Sequence, residues 1–273
     1  VILSIICIFI FLVKEVVPMF FPPHGTQTGH VAGAPPSVVL PQSSLVGMDE
    51  YQEIIYQLTA GSDRQIRFFN VQSGAPIALD LPPELANVRV TSIARAVGVG
   101  NRLAFGTDDG RIIPVTIEFT ASYEEGARHI VPTVTLGTPI QLTPSKEPII
   151  RLAYQPTERG TFTAALTDRG RLWYATVPTD NTPVALTGHG AEPVTAVIFD
   201  SRGETLSIGT AAGNLYHYEV RAGAQPSLLE TASVAPGASV TALSYLIGDR
   251  SLAIGSSAGD VSVWMPVRQA QES

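Results

Sequence analysis

The chain has 273 residues, of which 45% are hydrophobic and 15% charged, so it is long and apolar enough for one large domain with a substantial core. The net charge of −7 argues against nucleic acid or anionic lipid headgroups as partners of the folded part, since both favour a basic surface. The single cysteine, Cys7, excludes an intrachain disulfide and does not assign a cellular compartment.

Residues 1–21 are predicted to form a transmembrane helix. Residues 1–13 carry no charge, and a second apolar stretch, residues 16–21, follows Lys14 and Glu15. A helix of about 20 residues spans about 30 Å, which matches the core of a bilayer. The alternatives are a cleaved signal peptide, which would need a small-residue cleavage site, and a buried core helix, which would show one polar face. Because the chain does not start with Met, we expect that part of the segment is missing.

Residues 22–41 are predicted to be a linker between this helix and a folded domain that spans residues 42–273. The segment is rich in glycine and contains five prolines: Pro22, Pro23, Pro35, Pro36 and Pro41. Proline lacks a backbone donor, and frequent glycine disfavours regular structure, so neither a helix nor a central strand is expected here. We expect the linker to hold the domain away from the membrane.

The domain is predicted to be an all-β propeller, because a short turn followed by a strand recurs along it. The five copies of the turn begin at Gly61, Gly106, Thr167, Gly209 and Gly255. A strand with β-branched residues precedes the turn, and in two units both landmarks share one offset: Thr195 to Thr241 and Gly209 to Gly255 are each 46 positions apart. A period of about 40–45 residues with β-rich flanks is typical of propeller blades.

The fourth unit resembles a WD40 repeat. It opens with Gly-His at residues 188–189 and continues with an inner strand, a glycine turn and an outer strand. The usual Trp-Asp end is Tyr-Glu at residues 218–219, and residues 211–212, where the structural Asp of the turn is expected, are both alanine. In WD40 blades that Asp forms a buried network with the His and a Ser or Thr. The network is incomplete here, so the prediction is a WD40-like propeller.

Five blades are visible, and the sequence given ends directly after the fifth outer strand. A propeller protects its edge strands by closing its ring. We therefore expect either a small five-bladed ring, which residues 38–46 would complete, or a longer native chain that is C-terminally truncated in this sequence.

Residues 118–139 are predicted to form a protruding hairpin between two blades. The second and third turns are 60 positions apart, measured from Thr107 to Thr167, and the excess lies in this stretch. Apolar residues alternate on both sides of Glu124-Glu125-Gly126, which indicates two strands joined by a turn. Insertions of this kind lie on one face of a propeller and often carry function.

No group of residues predicts catalysis, a metal site or a cofactor site. His24 and His30 lie in the linker, His189 opens a blade and is assigned a structural role, and His217 is expected to be exposed or partly packed in a strand. Acidic residues recur at the turn, where Asp commonly bonds its own backbone: Asp63, Asp108, Asp109, Asp168 and Asp260. The prediction is a protein that is not an enzyme and has no catalytic, metal-binding or cofactor-binding residues; substrate-binding residues stay unassigned.

Basic residues recur at the start of the outer strand, at Arg67, Arg111 and Arg171. Because blades place equivalent residues on a common ring, these side chains would converge and form an anion-binding patch. The alternative is that they are solvated strand ends, each paired with the neighbouring Asp.

The helix and the repeats together resemble the PstC-type permease of bacterial phosphate ABC transporters. Residues 14–20, KEVVPMF, are similar to the end of the first transmembrane helix of that family. Residues 103–111 and 132–140 resemble the extra domain that some proteobacterial members carry after this helix. The resemblance implies a role in transport of inorganic phosphate, with residues 1–21 in the bacterial inner membrane and the propeller in the periplasm.

The same resemblance implies the other transporter subunits as partners: the periplasmic binding protein, a second permease, and the ATPase through a permease core that this sequence lacks. No phosphate-contacting residue can be carried over, so the propeller is predicted to be a docking platform rather than the transport pathway. The alternative function is a stand-alone, membrane-anchored scaffold, similar to the lipoprotein propellers of outer-membrane assembly. A propeller hydrolase or lyase would need clustered His, Asp or metal ligands, which the strands do not supply.

Overall fold

A computed structural model describes residues 9–11, 13–14, 45–61, 66–124, 127–178 and 182–265. Residues 9–11 and 13–14 are helical and exposed; the rest of the predicted membrane helix, with Cys7, and the whole linker, with His24 and His30, lie outside the described residues. None of the described helical residues belongs to a helix long and apolar enough to cross a bilayer. The membrane helix and the boundary at residue 42 therefore stay predictions.

The described domain consists of five successive antiparallel sheets. Sheet 1 contains β1 (Leu45–Met48), β2 (Ile54–Leu58), β3 (Ile66–Asn70) and β4 (Pro76–Ile77). A 3-10 turn at Pro83–Leu85 leads to sheet 2, with β5 (Val90–Arg95), β6 (Arg102–Thr107), β7 (Arg111–Glu124), β8 (Ala127–Leu136) and β9 (Ile140–Gln141). Sheet 3 contains β10 (Ile149–Thr157), β11 (Gly160–Thr167), β12 (Leu172–Val177) and β13 (Val184–Ala185). Sheet 4 contains β14 (Val194–Phe199), β15 (Thr205–Thr210), β16 (Asn214–Glu219) and β17 (Ser227–Ser233), and sheet 5 contains β18 (Val240–Tyr245), β19 (Leu252–Ser256) and β20 (Val261–Trp264).

Within each sheet every strand pairs with the next one along the chain, except that β9 pairs with the start of β7 instead of with β8. The first strands of sheets 2 to 5 contact one another in sequence, so they form the inner edge of the array. Consecutive four-stranded meanders around common inner strands are the blades of a β-propeller. The predictions of an all-β propeller and of five visible blades are confirmed in the described part of the chain.

Apolar side chains between neighbouring sheets hold the blades together. Leu215 in the third strand of sheet 4 is 1% exposed and shares a buried cluster with Val240 at the start of sheet 5. In the same way Leu172 of sheet 3 shares a cluster with Val194 of sheet 4. Val261 has the same position after the turn glycine of sheet 5 that Leu215 has in sheet 4. Val261, however, is 77% exposed. Among the described residues, sheet 5 therefore has a packing face without a neighbouring blade.

The first sheet also exposes apolar side chains on its first strand, at Val46 and Met48. No hydrogen bond or buried cluster within the described ranges joins sheet 1 to sheet 5. Most of residues 38–46, which were expected to close the ring, lie outside the described ranges. The five-bladed ring and the longer native chain therefore both stay predictions.

The predicted hairpin is present as β7 and β8. It is a continuation of the third and fourth strands of sheet 2, not a separate insertion between two blades. Its base packs on sheet 1, where the ring of Phe119 lies 6.1 Å from that of Tyr56 and 6.4 Å from that of Phe68. Nearer the tip, Arg128 pairs with Glu53 of sheet 1. The sequence pattern identified the two strands but not the blade that extends into them.

Candidate functional site

The inner strands of sheets 2 to 5 begin with the same irregularity. In each, the register to the next strand skips one residue directly after the first, which is a β-bulge. The skipped residues are Thr91, Ile150, Thr195 and Thr241. A bulge changes the direction of a side chain, and its repetition at one position brings four side chains around a common space.

These bulges line a cavity of about 710 Å³, called here the inner-strand cavity. It lies at the end of the sheets where the second strand turns into the third, because Val90 pairs with Thr107 and Val240 with Ser256. Besides the bulged residues its wall contains Ser92 and Arg151. The described wall therefore has one positive charge and no carboxylate.

Two of the threonine hydroxyls in the wall are bonded to backbone carbonyls, one between two blades and one within a blade. The Oγ1 of Thr91 donates to the carbonyl of Ile149 in the next blade at 2.7 Å and lies 3.1 Å from that of Gly106. The Oγ1 of Thr195 donates to the carbonyl of Gly209 at 3.1 Å. Within the described residues Thr241 has no such partner, and the buried Oγ of Ser92 is likewise unpaired.

Arg151 is held across the boundary between sheets 3 and 4. Its Nε donates to the carbonyl of Thr195 at 3.3 Å and its Nη1 to the carbonyl of Ile150 at 3.1 Å. A guanidinium has five N–H groups, so about three remain for other acceptors. No carboxylate of the described residues forms an ion pair with it. The sequence reasoning missed this residue, because it considered only arginines after the recurring turn.

The recurring turn is a structural unit in the described blades. The threonine that ends the second strand accepts a hydrogen bond from the backbone N–H four residues later, in the pairs Thr107–Arg111, Thr167–Arg171 and Thr210–Asn214. Asp109 adds a bond from the Thr107 hydroxyl at 2.5 Å. Burial raises the pKa of Asp109, but the hydrogen bond from Thr107 and the charge of Arg111 outweigh it, so the pKa lies below its ordinary range. This agrees with turn chemistry for Asp109; Asp63 lies outside the described residues.

The arginines after the turn do not form an anion-binding patch. Arg111 is paired with Asp109 at 2.7 Å, and Arg171 is paired with Glu147, a carboxylate that is 3% exposed. Arg67 is exposed on β3. Because carboxylates neutralise two of the three charges, the alternative interpretation as paired strand ends is favoured. The partner of Arg171, however, is a glutamate from the preceding loop and not the neighbouring Asp.

Sheet 4 has a polar network around a residue that the sequence analysis did not consider. Glu192 accepts hydrogen bonds from the Thr210 hydroxyl at 2.6 Å and from the Asn214 amide at 2.9 Å. These bonds, led by that of Thr210, hold the pKa of Glu192 below its ordinary range. Glu147 and Glu192 each lie two residues before the first residue of an inner strand, Ile149 or Val194. A glutamate at this position before an inner strand is the sequence feature that would have identified both residues.

The histidines of sheet 4 are buried. His189 lies 6.5 Å from the Tyr216 ring, and His217 lies 5.2 Å from the Trp264 ring of sheet 5. The Nδ1 of His217 is 3.0 Å from the Ser207 hydroxyl. The expectation that His217 is exposed or partly packed was wrong, because sheet 5 covers it to 9% exposure. No group of three or more metal-ligating side chains occurs in the ranges that the structure describes.

Acidification is expected to destabilise the domain through His217 and His189. Burial lowers the pKa of His217, and burial also lowers that of His189 despite the nearby Glu192. The folded state therefore binds fewer protons than the unfolded state, and the stability is lost as the pH falls through the ordinary histidine pKa of about 6.5 towards the lowered values. Urea unfolding at pH 7.5 and pH 5.5 measures the loss. His217→Gln is expected to reduce the pH dependence, and an unchanged dependence in that variant would contradict this assignment.

The end of the sheets opposite the inner-strand cavity exposes apolar side chains. The turns between first and second strands and the tip of the β7–β8 hairpin all lie at this end, because successive strands are antiparallel. The exposed residues, called here the apolar turn face, are Tyr51, Val99, Tyr123, Leu246 and Ile247. Ile247 is fully exposed, and the Arg128 guanidinium lies 4.5 Å over the Tyr51 ring.

No protein-family model and no curated protein sequence matches this chain. The β-propeller domain of Myceliophteria thermophila Cps50 (Swd1) is similar in structure, with a TM-score of 0.50 and 14% sequence identity over 82% of this chain. The chain spans 65% of the length of that domain. A crystal structure of the mitotic checkpoint complex contains a chain with a TM-score of 0.49 and 15% identity, over 90% of this chain and 71% of that one. The Swd1 similarity shows the WD40-like propeller fold; identity with a phosphate permease remains a prediction.

Proposed function

We propose that this protein is a protein-interaction platform of the bacterial envelope and does not act as an enzyme. The observation that carries the proposal is the apolar turn face, on which Tyr123 and Ile247 are exposed at one end of the propeller. Contiguous exposed apolar and aromatic side chains mark sites of protein association. The carboxylates Asp109, Glu147 and Glu192 are engaged in ion pairs and hydrogen bonds of the blades, which leaves them unsuited to acid–base chemistry.

The finer proposal places this platform in a PstC-type permease. Residues 1–21 anchor it in the inner membrane, residues 22–41 tether it, and residues 42–273 lie in the periplasm. There it docks the phosphate-binding protein beside the permease. The support is the similarity of residues 14–20, 103–111 and 132–140 to that family, together with the proline- and glycine-rich tether that precedes β1.

Binding to a purified periplasmic phosphate-binding protein tests the proposal. We expect saturable binding in calorimetry, and we expect Ile247→Asp to weaken it by about tenfold, since loss of a central apolar contact costs about 1–2 kcal/mol. Leu229→Asp is the matched control, because Leu229 is also an apolar side chain, 56% exposed, but lies on the outer strand β17. Equal losses in both variants, or no binding at high concentration, would contradict docking through this face.

The native reading frame tests the permease assignment separately. A frame that continues past Ser273 into several apolar segments of about 20 residues would support it. A stop codon soon after Ser273 would overturn it and leave the stand-alone anchored scaffold as the function of the platform.

A further inference from the structure

We propose that the inner-strand cavity binds an oxyanion, a single carboxylate or phosphate group, through Arg151. The proposal does not depend on the apolar turn face, which lies at the other end of the sheets, or on the identity of the docking partner. It also replaces the predicted anion patch of Arg67, Arg111 and Arg171 with a different site, on the inner strands.

The guanidinium of Arg151, an exposed side chain, is oriented before any ligand arrives. Two backbone carbonyls, of Ile150 and Thr195, hold its Nη1 and Nε at 3.1 Å and 3.3 Å. These bonds use about two of its five N–H groups and join two blades, so the remaining donors keep one direction. A fixed guanidinium loses less entropy on binding than a free one, and its planar donors match the geometry of carboxylate and phosphate oxygens.

The surroundings of Arg151 favour an anion over a neutral ligand. Six other arginines of the described residues have a carboxylate within salt-bridge distance: Arg111, Arg128, Arg159, Arg169, Arg171 and Arg221. Arg151 has none, and this also holds for the other described arginines: Arg67, Arg89, Arg95, Arg102, Arg202 and Arg250. Arg151 differs from Arg95, Arg202 and Arg250, which line cavities with carboxylates, because the described wall of its 710 Å³ cavity contains no acidic side chain. The hydroxyl of Thr241 is a further donor in the same wall.

The small number of free donors in the described wall limits the charge of the anion that it can bind. The protons of the Thr91 and Thr195 hydroxyls are committed to carbonyls, and Ile150 occupies the fourth bulge. Arg151 is therefore the one charged donor of the described wall, which suits one oxyanion rather than a polyanion. The source of that group is either a free anion or the acidic side chain of a polypeptide that enters the cavity.

Titration of the purified chain with inorganic phosphate, with a tetraglutamate peptide and with a tetraglutamine peptide, at constant ionic strength, tests the proposal and separates the two sources. We expect binding of one or both anionic probes and none of tetraglutamine. Binding of phosphate alone identifies a free anion, and binding of tetraglutamate alone identifies an acidic polypeptide. Absence of binding of both anionic probes overturns the proposal.

Variants assign the binding to this cavity. Arg151→Gln is expected to weaken anion binding by about tenfold or more, as for loss of a charge-assisted hydrogen bond, and Arg151→Lys is expected to retain part of it. Arg67→Gln, a control with an exposed arginine on β3, is expected to bind like the parent. Circular dichroism confirms that each variant is folded. If Arg151→Gln binds like the parent, or if Arg67→Gln loses as much affinity, the proposed site is wrong.

Discussion

Gly213→Ala is expected to destabilise the domain by about 3 kcal/mol, whereas Gly259→Ala is expected to cost about 1 kcal/mol. The two glycines occupy the same position of the recurring turn in sheets 4 and 5, with φ of +82° and +88°. An alanine pays the cost of the left-handed conformation at either position. At residue 213 the added Cβ would also collide with the carbonyl oxygens of Ala235 and Ala238, whereas at residue 259 no atom lies within 4 Å of it.

Urea unfolding followed by circular dichroism measures both changes in the free energy of unfolding. The comparison isolates the steric contribution, because both variants share the conformational strain and differ only in what surrounds the new methyl group. Equal losses of unfolding free energy in the two variants would show that the loop containing Ala235 moves aside without destabilising the domain. That result would contradict the packing described for sheets 4 and 5.

Leu215→Ala is expected to lower the free energy of unfolding by about 3 kcal/mol, and Val261→Ala by less than about 0.5 kcal/mol. Leu215 is buried against Val240 of the next blade, so its removal leaves a cavity between two sheets. Val261 holds the corresponding place in sheet 5 but is 77% exposed. The same unfolding measurement distinguishes the two positions, with unchanged m-values as the check that the folded states remain comparable.

A large loss in Val261→Ala would mean that this side chain is covered in solution. Since none of the described residues covers it, the cover would then have to come from another copy of the chain or from a residue outside the described ranges. Analytical ultracentrifugation of the parent and the variant at equal concentration distinguishes these two possibilities.

The blades were predictable because their signals are local. The turn of sheet 4 needs a threonine to cap it and a glycine for a left-handed φ, as at Thr210 and Gly213, and both requirements leave residues at fixed spacing. Strand alternation on either side then fixes which side chains are buried, such as Leu206 and Ile208 of β15. These features depend on neighbours in sequence, so a single chain reveals them.

The polar sites were less predictable because they join residues from different blades or loops. Arg151 is positioned by the carbonyl of Thr195, which lies 44 residues away. The sequence places His217 in a strand of alternating polar and apolar residues. Only the contact with Trp264 of the next sheet shows that His217 is buried. The bulge residues look like ordinary strand residues in the sequence, although Thr91, Thr195 and Thr241 recur after a valine at each of those strand starts.

The last strand of sheet 5 has a consequence for the behaviour of the isolated chain at high concentration. β20 pairs with β19 on one side, and on its other side none of the described residues forms a ladder with it. It also exposes Val261 and Val263. An unpaired strand edge with exposed β-branched residues templates strand addition. Concentrated preparations of the chain are therefore expected to self-associate edge to edge through this strand.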